Sequence, residues 1–119
     1  MMAGIESKSL EKPDEIRTPA KTKIDVVHVG ETEVGRFTFE PGWKWSECIK
    51  PVVKTDSCQA DHLGFVVSGQ IRVVHEDGTQ VDVSAGDAYR IAPGHDAWVV
   101  GDEPFVGIEF KSAATYAKN

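Results

Sequence analysis

Two short runs constrain this chain more than any other feature: His62-Leu63-Gly64-Phe65-Val66-Val67-Ser68-Gly69 and Gly86-Asp87-Ala88-Tyr89-Arg90-Ile91-Ala92-Pro93-Gly94-His95. Each is a stretch rich in β-branched and aromatic residues with glycine at its turn, and the hairpin signal Glu76-Asp77-Gly78 lies between them. Glycine reaches the positive φ that a tight corner requires, so short runs closed in this way read as strands ended by turns. From Lys23 onward the pattern repeats at the spacing of about 8–12 residues typical of sandwiches and barrels, which predicts strands near 24–29, 32–39, 43–50, 62–68, 70–76, 79–84, 87–92, 95–100 and 104–111. Thr79-Gln80-Val81-Asp82-Val83 alternates most clearly and predicts Val81 and Val83 facing in, Gln80 and Asp82 facing out. No long amphipathic helix fits. Only residues 112–119 suit a helical turn, with Ser112 as its cap. The expected class is all-β.

The 119 residues suffice for one domain with one core of small-barrel size. Residues 1–22 differ from the rest: Glu6, Lys8, Glu11, Lys12, Asp14, Glu15, Arg17 and two prolines stand among scattered apolar positions, which predicts a flexible N-terminal arm ahead of a barrel over 23–119. Such an arm is either solvated or lies over the edge of a neighbouring subunit's sheet. With 13 Lys and Arg against 19 Asp and Glu, the net charge is −6, and no basic cluster offers a surface for nucleic acid or anionic membrane. There is no apolar run of membrane-spanning length and no apolar leader-like segment, so the expected location is the cytoplasm. Cys48 and Cys58 are then expected to stay reduced.

The glycine framework resembles the two sequence motifs of the cupin superfamily, and the resemblance spans roughly residues 32–111. In the first motif, G(X)5HXH(X)3,4E(X)6G, the last glycine falls on Gly69 and the glutamate position on His62. The two histidine positions fall on Asp56 and Cys58, or with the longer spacing on Thr55 and Ser57. In the second, G(X)5PXG(X)2H(X)3N, the glycines fall on Gly86 and Gly94, the proline is displaced to Pro93, and the histidine position is Ala97. The resemblance implies a cupin-like double-stranded β-helix, a jelly-roll barrel, and a homodimer that exchanges amino-terminal strands, for which Lys23 to Val29 is suited. None of the four family metal ligands is kept as such.

The candidate metal set is therefore Asp56, Cys58, His62 and His95. His95 stands two residues before the lost histidine, on the same face of a strand and about 6–7 Å away, where it could take over that role. A Cys/His/His or Asp/Cys/His/His set suits zinc, or iron with thiolate character. The alternative is that His62 is an interior hydrogen-bonded histidine and His95 a residue of the barrel rim. Trp43 and Trp45 share one strand face, and with Trp98 they are either core or the lining of a small-molecule pocket. Cys58 is a nucleophile only if a base lowers its pKa, and His62 is the one plausible partner. His28, His75 and Arg90 read as outward-facing.

No phosphate-cradling glycine loop, Gly-x-Ser-x-Gly elbow, Cys-x-x-Cys pair or His-Glu-x-x-His helix is present. The leading functional expectation is a small-molecule-binding barrel with an atypical or absent metal site. The alternative is a metal-dependent enzyme of dioxygenase or isomerase type that uses His62 and His95 with Cys58 or Asp56. Catalytic residues and ligand identity stay open, and no organic cofactor is expected.

Overall fold

A computed structural model describes residues 4–118. The first three residues of the expected arm and Asn119, at the end of the expected C-terminal turn, lie outside them. Strands β1 (Glu15–Arg17), β2 (Thr22–Val29) and β3 (Thr32–Phe39) are followed by two helical turns, α1 (Trp45–Cys48) and α2 (Lys50–Val53). Strands β4 (His62–Ser68), β5 (Gln70–His75), β6 (Gln80–Ser84), β7 (Ala88–Ile91), β8 (His95–Val99) and β9 (Phe105–Glu109) complete the chain. They form a six-stranded sheet in the order β1-β2-β3-β9-β4-β7 and a three-stranded sheet in the order β6-β5-β8, with every pairing antiparallel.

The inward parity of each strand supplies the core. Ile24, Val26, Phe37, Phe39, Val66 and Phe105 from the larger sheet meet Ile71, Val73, Ala97 and Val99 from the smaller. Trp43 stacks flat on Phe39, with ring centroids 3.8 Å apart, and closes one end of this core. The passage from one sheet to the other depends on Gly69. Its φ is +79°, and a Cβ there would run into the Pro104 carbonyl. Both facts call for glycine at that corner.

Three features differ from the sequence reading. Residues 43–50, expected as a strand, turn helical at Trp45, with the Ile49 N–H donating to the Trp45 carbonyl at 2.9 Å. The apolar positions explain it: Trp45, Cys48 and Ile49 are buried at helical spacing, Glu47 is exposed, and Pro51 in the first turn of α2 has no N–H to give a ladder. Val81 is 51% exposed although Val83 is buried. It faces the correct way, but β6 and β7 are the free edges of their sheets and a groove of about 580 Å³ stays open between them. In the segment read as a flexible arm, Glu15–Arg17 pairs with β2, and Arg36 bonds both Glu11 and the Leu10 carbonyl. β2, the segment suited to strand exchange, is flanked on both sides by strands of its own chain.

Candidate functional site

His62 opens β4 and His95 opens β8, each at an inward-facing position of its strand. Cys58 lies on the loop after α2, and reciprocal backbone bonds fix it opposite His95: its N–H donates to the His95 carbonyl and its own carbonyl accepts from Gly94, both at 2.7 Å. Three side chains from separate segments thus converge between the sheets. The Cys58 sulfur and one nitrogen from each imidazole all lie within 4.8 Å of one another, and all three residues are buried. Of the sequence candidates, Asp56 is exposed and stands outside this group.

Hydrogen bonds orient both rings. His62 Nδ1 meets Glu109 Oε1 at 2.5 Å, and His95 Nδ1 meets the Ala92 carbonyl at 2.8 Å. A carboxylate and a carbonyl only accept, so each Nδ1 carries the proton and each Nε2 is left for other chemistry. His62 Nε2 is 3.7 Å from Cys58 Sγ. Behind His62, the Glu109 carboxylate also accepts from Tyr89 OH at 2.8 Å and from Ser112 Oγ at 2.5 Å. Ser112 therefore spends its hydroxyl on the buried carboxylate rather than on capping the turn that follows.

The charges in this cluster depend on one another. Burial opposes ionisation of the Cys58 thiol, but hydrogen bonds and charge from His62 and His95 outweigh it and hold its pKa down to about 6. Burial likewise opposes the His62 imidazolium, yet Glu109 and Cys58 together raise its pKa to about 10. Glu109 is held below the usual carboxylate range because His62, Ser112 and Tyr89 overcome its burial. Burial and the Glu109 charge push the Tyr89 hydroxyl up.

Glu109 was not singled out from the sequence. Its signal is parity: Phe105, Gly107 and Glu109 share the inward face of β9, where a carboxylate needs a buried partner. Trp43 and Trp45 do line the enclosed space beside the two histidines, which is only about 20 Å³. Trp98 instead faces out beneath the Lys44 ammonium, 5.4 Å from its ring centre. His28 is exposed, His75 bonds the Pro93 carbonyl, and Arg90 pairs outside the barrel with Asp61.

No family model matches the sequence, and no curated protein matches it significantly. Solved structures do. A protein of unknown function from Rhizobium leguminosarum superposes with a TM-score of 0.66 at 16% identity, over 92% of this chain and 97% of its own. A double-stranded β-helix protein from Klebsiella pneumoniae gives 0.58 at 21% identity, over 98% and 93%. A cupin-like protein from Thermotoga maritima gives 0.53 at 19% identity, over 77% and 68%. The fold is that of a cupin. At these identities the likeness concerns the fold alone, and within this cupin barrel the Cys58, His62 and His95 group is what could hold a metal ion. The donor set suits one: a thiol of lowered pKa and two imidazoles, of which His62 would release its Nε2 proton on binding, with donor atoms within 4.8 Å of one another against roughly 3.3–3.8 Å between tetrahedral zinc ligands.

Proposed function

We propose that this cupin barrel binds a small molecule at a centre organised by a divalent metal ion, zinc or iron, held by Cys58, His62 and His95. The observation that carries the reading is the preparation of both imidazoles. Each has an acceptor at Nδ1, His62 turns its Nε2 to the Cys58 sulfur at 3.7 Å, and a His95 nitrogen lies within 4.8 Å of both. An imidazole whose far nitrogen is held by a carboxylate is the usual support of a metal-bound histidine, and Glu109 supplies that support to His62. A hydrogen-bonded interior histidine would need Glu109 but no second imidazole and no thiol placed against it.

Three protein donors leave a coordination position for a ligand or water, as in metal sites that act on bound molecules rather than brace a fold. When bound, the ion would act as a Lewis acid toward an oxygen-bearing ligand. The residues on hand make that position dry, because Trp43, Trp45 and Tyr116 close the space around the two histidines. The alternative, a metal-dependent enzyme of dioxygenase or isomerase type, uses the same three residues.

The test is a titration of chelator-treated protein with cobalt(II), whose thiolate charge-transfer absorption reports a sulfur ligand. Wild type should develop the band at one ion per chain. Cys58→Ser should bind cobalt without the band, and His62→Ala and His95→Ala should each lose most of the affinity. Cobalt binding that is indifferent to all three substitutions would contradict the assignment.

A further inference from the structure

The enclosed space beside His62 and His95, about 20 Å³, is close to the minimum that holds one water. A ligand of the proposed centre can place one donor atom there, and the rest of it needs another space. One adjoins at Ile91. This residue ends β7, pairs with His62 across from β4, and lines both the enclosed space and the groove between β6 and β7. At about 580 Å³ the groove falls within the roughly 300–1,000 Å³ of small-molecule sites. A further space, under the C-terminal turn beside Cys58, is about 210 Å³ and falls below that range.

The wall of the groove nearest the centre is apolar. Val73, Val83, Tyr89 and Ile91 line it from inward-facing positions, and Val81, which shares their orientation, is left 51% exposed. Tyr89 also donates its hydroxyl to Glu109, which holds His62, so this wall and the centre are packed as one unit. Charge is confined to the rim and largely engaged there. Asp82 pairs with Arg72, Arg90 donates to Asp61, and His75 accepts from the Asp77 N–H and donates to the Pro93 carbonyl. Asp77 and Asp87 accept the Thr79 and Ser84 N–H groups and remain exposed, where they repel anions while water screens them from cations. Such a groove matches an uncharged body. Turning the Ile91 side chain to another rotamer opens it toward the centre without breaking a backbone hydrogen bond.

We propose that the groove between β6 and β7 receives the body of the ligand, an uncharged and largely apolar group that lies on Val81, Val83 and Tyr89 and passes Ile91 so that one donor atom reaches the metal ion. The inference rests on the metal reading, which supplies the open coordination position.

Imidazole and 4-phenylimidazole, titrated into cobalt-loaded protein, test this through the charge-transfer band, with no assay of turnover. Both offer the same nitrogen donor, and only the second carries an apolar body. Wild type should bind 4-phenylimidazole at least about tenfold more tightly, the worth of burying one face of a phenyl ring. Val81→Asp, a change at an exposed edge position, should erase most of that advantage, and Val81→Asn serves if it does not fold. Ala60→Leu, which fills the space under the C-terminal turn, should leave the advantage intact. An analogue with an aminomethyl group on the phenyl ring should bind more weakly than 4-phenylimidazole. No advantage in wild type, an advantage that survives in a folded Val81 variant or vanishes in Ala60→Leu, or tighter binding of the aminomethyl analogue overturns the inference and leaves the metal centre standing. No band in wild type removes the metal centre and this inference with it.

Discussion

At the scale of single residues, the buried Cys58, His62 and Glu109 form a chain of charge in which each group is ionised because its neighbour is. In metal-free protein the Cys58 thiolate absorbance, taken as the difference between wild type and Cys58→Ser, should titrate near pH 6 instead of near the usual thiol value of about 8.5. A midpoint at or above 8 would show that the imidazoles do not stabilise the thiolate. The same pair sets the dependence of stability on pH. A thiol whose pKa is depressed on folding adds stability that is complete above its unfolded value and lost as pH falls through about 6. A histidine whose pKa is raised adds stability that is complete below its unfolded value and lost as pH rises through about 10. These are two ends of one ion pair, so denaturation midpoints of metal-free protein should be highest between those limits and fall on both sides. Glu109→Gln removes the charge behind His62. Metal affinity should then drop by about 10- to 100-fold, the usual effect of losing a support of this kind, in the same cobalt titration. An unchanged affinity would make Glu109 merely a buried acid.

At the scale of elements, the corner at Gly69 is the most demanding point of the chain. Gly69→Ala combines a left-handed φ, on the order of 1–3 kcal/mol, with a collision against the Pro104 backbone. Gly78→Ala has a similar φ of +94° but open space around it. Denaturant unfolding should therefore rank Gly69→Ala well below Gly78→Ala, and equal losses would mean the corner is not tightly packed. The corners were legible in the sequence because glycine at a turn has one physical meaning, which is how the barrel could be read from residues 62–69 and 86–95. The α1–α2 segment was not. Trp43 and Trp45 share strand parity, while Trp45, Cys48 and Ile49 also share helical spacing, and the choice between them depends on which wall they must cover. At the site, the three donors could be named from motif positions and strand parity. Glu109 was hidden because its strand reads as an ordinary half-buried one, and its partners His62, Tyr89 and Ser112 come from elsewhere in the chain.

At the scale of the whole molecule, the outer face of the large sheet is unevenly covered. The amino-terminal segment lies over β2 and β3 through Leu10, Glu11 and Arg36. Beside it, Leu63, Phe65 and Val67 of β4 and Phe110 just past β9 are 41–50% exposed on adjoining strands. A contiguous apolar face of this kind is a natural contact for a second copy, and sedimentation at micromolar concentration should give a dimer that Phe65→Lys converts to a folded monomer. A wild-type monomer would mean that the face is simply exposed. The central claim is that a metal ion sits on Cys58, His62 and His95, beside the dry space between the sheets. Elemental analysis of protein purified without chelator tests it most directly. The expected result is about one zinc or iron per chain in wild type and a near-complete loss in the His62→Ala/His95→Ala double variant that retains its β-sheet spectrum. Wild-type protein devoid of metal that also fails to take up zinc or iron when offered, or metal retained in full by the double variant, would contradict the account.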